Sequence, residues 1–153
     1  MDLERHLIDL FGPIALASAS WDFDCTRYYE PEMGTGLTRR FLAFPPAPAG
    51  HLATWKIAAG RIEEFHRASH GRSVNLDPGC ITLGGLFLAS TKPRPQRLYL
   101  ADGIYAELTL LYRKSGWLSL PWTFPDFLSG RYDAFLTECR EWLKRGWLDQ
   151  PAG

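Results

Sequence analysis

Cysteine is scarce in this chain of 153 residues: Cys25, Cys80 and Cys139 stand far apart, and no Cys-x-x-Cys pair occurs. That argues against a zinc knuckle or a thioredoxin-type redox pair, and leaves three reduced thiols of the kind most often buried. Net charge is missing too, because 17 Lys and Arg offset 17 Asp and Glu. A non-specific nucleic-acid binder concentrates cations to neutralise phosphates, so nucleic acid is a disfavoured partner. No apolar run approaches the ~18 residues of a membrane span. The opening MDLERHLIDLFG lacks the apolar stretch and cleavage site of a signal peptide. The expectation is a soluble, cytoplasmic protein with no membrane partner. Common motifs of nucleophilic and metal-dependent hydrolysis are absent as well, with no Gly-x-Ser-x-Gly and no His-Glu-x-x-His. Gly34-Thr35-Gly36 is not followed by the Lys-Ser or Lys-Thr of a phosphate-binding loop.

What is abundant is aromatic surface: six Trp, six Tyr and nine Phe can fill a core, line a pocket, or both. The length suits one globular domain over residues 1–153. Asp2 to Phe11 places Leu3, Leu7 and Leu10 on one helical face before Gly12-Pro13. Leu52 to His66 spaces Leu52, Trp55, Ala59, Ile62 and Phe65 as a second helix, with Gly71 as a left-handed stop, and Arg131 to Lys144 makes a third. Ser129 or Asp126 would cap that last helix. Ile14 to Phe23 and Leu37 to Phe44 read as strands around a polar loop, Asp24 to Gly36. From Ile81 the pattern becomes a meander. Ile81 to Ser90 is one apolar run with a bulge at Gly84-Gly85, and Asp102-Gly103 turns Arg97–Leu100 back into Ile104–Tyr112. In that last strand Ile104, Ala106, Leu108 and Leu110 alternate with Tyr105, Glu107, Thr109 and Leu111. The expected fold is α+β, an antiparallel or mixed sheet with a β-meander in the second half and two or three helices packed on one face.

Six blocks carry a resemblance. They are Thr26 to Gly34, Val74 to Gly79, Leu88 to Lys92, Arg97 to Leu100, Gly103 to Leu110 and Pro121 to Asp126. In order and spacing they resemble a bacterial family with no assigned activity, domain of unknown function 4416. Two departures follow from that resemblance. Relatives are expected to carry an apolar strand ahead of the first helix, and often His where this chain has Gln96. The first would leave an edge open to a partner or a second copy.

The candidate site joins the acidic loop, with Tyr28, Glu30 and Glu32, to the strand ends bearing Lys92, Arg97, Tyr105 and Glu107. With tight register at Asp102-Gly103, Arg97, Tyr99, Tyr105 and Glu107 share one sheet face. A guanidinium, phenols and a carboxylate there suit a small anionic or nucleotide-like ligand, whereas the plainer reading is a solvated face with a weak Arg97–Glu107 pair. Asn75 and Asp77, on a rigid Asp77-Pro78-Gly79 turn, could orient a ligand or simply satisfy their own backbone. Glu63, His66 and His70 have metal-ligand spacing at a helix end, but no metal site is expected. No cofactor follows from any motif, and whether the chain is an enzyme is left open. The alternative function is a non-catalytic interaction domain or a homo-oligomer, motivated by the aromatic excess, including Trp117 and Trp142.

Overall fold

The computed structural model describes residues 2–114 and 116–148, the latter without the side chains of residues 147 and 148. The chain divides into two compact units, Met1–Pro78 and Gly79–Gly153. The middle residue of the Lys114-Ser115-Gly116 turn, Ser115, lies outside the described residues.

The first unit holds helix α1 (Leu3–Phe11), strand β1 (Leu16–Asp22), the single turn α2 (Glu30–Met33), strand β2 (Thr38–Ala43) and helix α3 (Leu52–Phe65). The Asp2 carboxylate caps α1 by accepting from the Glu4 amide, and Gly12 ends it at φ 91°. Strands β1 and β2 form a two-stranded antiparallel sheet. Ser18 disturbs its register, donating to the Ala19 carbonyl while accepting from the Phe41 amide. Leu7 of α1 and Leu52, Ala53 and Ala59 of α3 are buried, and Phe11 packs on Phe44 and Trp55. The segment expected to be wholly loop contains α2, where Pro31 presets helical φ at the first turn. Gly71 does not stop α3, which ends at Phe65. It closes a tight Ala68–Gly71 turn at φ 132° instead.

The second unit holds β3 (Gly79–Ile81), β4 (Gly85–Ser90), β5 (Arg97–Ala101), β6 (Ile104–Arg113), β7 (Gly116–Ser119), α4 (Pro125–Leu128) and α5 (Asp133–Leu148). Its sheet is antiparallel in the order β3-β4-β6-β5, with β7 also on β6. The α+β class and the meander stand as expected. Two local readings do not. Ile81 to Ser90 is a hairpin rather than one bulged strand. Thr82 folds it, its amide donating to the Gly85 carbonyl and its Oγ1 accepting from the Gly84 and Gly85 amides. The bulge lies in β6 instead. Leu86 pairs with Leu110 while Phe87 pairs with Leu108, so Thr109 is the extra residue and the alternation reverses there. Leu110 and Glu107, opposite Leu86 and Leu88, therefore share a face, and Leu108 points to the other.

Thr109 is also where two strands on the far edge of β6 fail to meet. β5 pairs up to Glu107 and β7 starts at Leu110. The carbonyls left over at Leu108 and Thr109 accept from Trp122 Nε1 (2.8 Å) and Thr123 Oγ1 (2.6 Å). The Pro121–Phe124 segment thus plugs the gap. Helix α5 lies against the same face as Leu110. Its Arg140 guanidinium stacks over Tyr112 at 3.8 Å, and its Thr137 accepts from Trp117 Nε1. Tyr132, Phe135, Leu136 and Cys139 are buried there with Leu86, Leu110 and Phe127. Asp126 precedes α5 in the chain. It lies within α4, buried, and accepts from the Tyr132 hydroxyl at 3.0 Å.

Candidate functional site

The residues singled out in the sequence fall into two groups, one in each unit. In the first unit the organiser is Arg72, which the sequence reading missed. Its Nε and Nη2 donate to both Glu32 oxygens (2.9 and 2.8 Å), and its Nη1 donates to Asn75 Oδ1 (3.1 Å) and Glu63 Oε2 (3.4 Å). Glu63 Oε1 accepts from the Leu76 amide, and Asn75 Nδ2 donates to Asp77 Oδ2. Lys56 Nζ reaches Asp77 Oδ1 and the Leu76 carbonyl. Lys56 and Glu63 stand two turns apart on one face of α3, which is why both grip the same loop. Arg72 holds the Glu32 carboxyl below the ordinary carboxylate range, and Glu32 in turn raises the guanidinium. Tyr29 is raised chiefly by burial and secondly by Asp77.

This network brings Glu32, Asn75 and Asp77 together. The plain Asx-turn reading of Asn75 and Asp77 gives way to side-chain bonding that clips residues 72–77 to α2 and α3. Tyr28 is exposed, edge-on to the Tyr29 ring at 5.0 Å. Glu30 opens α2, and its carboxylate takes no part in the network. The charges pair internally, so the cluster works as a clip rather than an open receptor. Glu63 and His66 diverge. Glu63 joins the clip, while His66 Nε2 faces His6 Nδ1 of α1 at 3.0 Å.

The second group lies on the sheet. Register pairs Arg97 with Glu107 and Tyr99 with Tyr105, so the four share a face as expected. The tyrosine rings meet edge-to-face at 5.4 Å. The face is not solvated at the ion pair. The Arg97 side chain is 9% exposed and that of Glu107 2%, because Glu107 sits on the core side beside Leu88 and along from Leu110. Arg97 Nε donates to Glu107 Oε1 at 3.0 Å, and Gln96 Nε2 donates to the same oxygen at 3.0 Å. Arg97 Nη1 donates to Ser90 Oγ and to the Lys92 carbonyl, both at 2.8 Å. Glu107 Oε2 is buried and has no hydrogen-bond partner, the single such side-chain atom among the described residues. A carboxylate oxygen left unpaired away from water is costly. The 91–96 loop touches the pair through Gln96 and the Lys92 carbonyl, and its Lys92 and Arg94 are exposed cations. Sequence reasoning found Arg97, Tyr105 and Glu107 through strand alternation. It noted Gln96 only as a departure from relatives and passed over Ser90, a small hydroxyl whose role depends on register.

The model of the family described as a domain of unknown function, DUF4416, matches residues 1–143. The chain belongs to the DUF4416 family. That match takes in both groups of residues, the Arg72 clip and the Arg97–Glu107 pair, within one DUF4416 region. No curated protein and no solved structure matches the chain. Among the described residues no helix is long and apolar enough to cross a membrane, and no group of three or more His, Cys, Asp or Glu is set to hold a metal ion.

Proposed function

We propose that the second unit of this DUF4416 chain binds a small anionic molecule at the Arg97–Glu107 pair. The observation that carries the reading is the buried, unpartnered Glu107 Oε2. Burying a carboxylate is costly, and that cost falls when both oxygens are hydrogen-bonded. Here two donors, Arg97 Nε and Gln96 Nε2, meet one oxygen only, and the second oxygen requires a donor. In this reading the anion clamp is not Arg97, the residue expected from sequence. Glu107 neutralises it, and Ser90 with the Lys92 carbonyl fixes its orientation. The anionic part of the ligand is instead assigned to the exposed 91–96 loop with Arg94 and Lys92, and the donor part to Glu107. Differential scanning fluorimetry against nucleotides, sugar phosphates and carboxylates tests this. A true ligand at a hundredfold its Kd stabilises by about 2.7 kcal/mol, and Arg94→Ala weakens that shift. A panel that leaves the wild-type melting temperature unmoved at millimolar concentration defeats the proposal.

A second reading, partner pairing or self-association, is favoured by a different observation. β5 ends the sheet order, and Leu98 (70% exposed), Tyr99 and Leu100 lie open along it. Analytical ultracentrifugation decides this reading. A monomer at every concentration argues against self-association, and a dimer lost on Leu98→Lys supports pairing through β5.

A further inference from the structure

This inference rests on the binding reading above and names the chemical class that fits the same atoms. The molecule holds two arginine–glutamate pairs that differ in one respect. In the first unit Arg72 closes a complete fork, Nε on Glu32 Oε1 and Nη2 on Glu32 Oε2. In the second unit Arg97 makes only the Nε half, on Glu107 Oε1. Its Nη1 is drawn off by Ser90 Oγ and the Lys92 carbonyl, and Gln96 crowds the same carboxylate oxygen. The guanidinium edge that carries Nε also carries an Nη2 N–H in fixed, parallel geometry. The open fork therefore leaves a donor, Arg97 Nη2, and an acceptor, Glu107 Oε2, unjoined where a closed one would pair them.

A donor and an acceptor set side by side on rigid groups are complementary to a planar edge with an adjacent C=O and N–H. We propose that the open fork reads the cis-amide edge of a nucleobase-like ring, as in uracil, with the ring carbonyl accepting from Arg97 and the ring N–H donating to Glu107. Two further features agree. Tyr105 and Tyr99 occupy the next same-face row of the strand pair, where a flat ring can stack. Arg94 and Lys92 are exposed on the connecting loop, and Arg94 is the cation assigned to a phosphate tail. A hydroxyl or an ammonium would satisfy Oε2 alone and leave the donor idle. A carboxylate would satisfy the donor and be repelled by Oε2.

The test is a titration by isothermal calorimetry and by amide NMR with uridine 5′-monophosphate and with its N3-methyl derivative, which keeps the ring and phosphate but removes the N–H. The expected result is at least tenfold weaker binding of the methylated compound, with shifts centred on Ser90, Gln96, Arg97 and Glu107. Glu107→Gln should lose at least tenfold in affinity for the unmethylated nucleotide. The methylated probe makes the decision independent of whether that variant folds. Equal binding of the two nucleotides overturns the amide-edge inference. Binding of some other anion at Arg94 with no response to either nucleotide overturns it while sparing the binding reading. An ordered water only at Oε2, with no ligand of any class, overturns both.

Discussion

Replacing Arg97 with methionine is the sharpest perturbation of the second unit. Met keeps most of the side-chain volume and removes the charge, so Glu107 loses its ionic partner while staying 2% exposed. Gln96 alone then holds the carboxylate. Breaking one side of a buried pair costs about 3–5 kcal/mol, because the remaining charge is stranded. A chain of this size loses about 3 °C in melting temperature for each kcal/mol, which gives roughly 9–15 °C. Changing Glu107 to methionine as well removes the stranded charge, and such replacements are often neutral or stabilising by about 1–4 kcal/mol. The double variant Arg97→Met/Glu107→Met should therefore recover to within about 1 kcal/mol of wild type, a strongly non-additive cycle. Urea unfolding followed by tryptophan fluorescence measures all four corners. The reasoning is refuted if Arg97→Met costs under about 1 kcal/mol, as a solvated surface pair would. It is equally refuted if the double variant is as unstable as the two singles summed.

Three further outcomes follow from the same geometry. Arg72→Met should let the Glu32 carboxyl climb back towards its ordinary value of 4.5 in an NMR titration. Because Arg72 depresses that pKa, the pairing contributes stability above the unfolded value and loses it as pH falls through the folded one. Protection of residues 72–77 from hydrogen exchange should accordingly fall below about pH 4 in wild type, and be low at every pH in the variant. A Glu32 titration unmoved by the substitution would remove Arg72 as the cause. Burial pushes the Cys139 thiol up to about 12, with Glu138 adding to it. Native protein at pH 8 should thus label with a thiol reagent at Cys25 and leave Cys139 untouched until urea unfolds it. Gly85→Ala would set a Cβ 2.7 Å from the Leu110 carbonyl oxygen, against backbone that cannot swing away. It should cost about 1–3 kcal/mol, whereas Gly84→Ala, which meets nothing within 4 Å, serves as the near-neutral control.

Helix and strand periodicity carried most of the fold, because it is set locally. α1, α3 and the Asp102-Gly103 hairpin follow from spacing and turn chemistry alone, and both turn residues adopt the positive φ expected, 51° and 77°. The bulge at Thr109 was not legible. Nothing in Leu108-Thr109-Leu110 marks an extra residue, and it arises where β5 stops, β7 begins and Trp122 with Thr123 caps the vacancy. Side chains that act within one strand pair, Arg97 with Glu107 and Tyr99 with Tyr105, could be paired in advance from the turn between them. The burial of Glu107 could not, since it depends on the reversal at Thr109 that turns Leu110 to the same face. Arg72 escaped notice for a related reason. Its partners come from α2, α3 and its own loop, a convergence that no single period encodes.

The account turns on the second oxygen of Glu107 being a vacant acceptor beside an open guanidinium fork. A high-resolution crystal structure of the protein grown with uridine 5′-monophosphate measures this directly. The predicted result is a ring nitrogen within about 3 Å of Glu107 Oε2 and a ring carbonyl at Arg97 Nη2. The contradicting result is Arg97 rotated to join both Glu107 oxygens, as Arg72 joins those of Glu32, with no group of any kind at that oxygen.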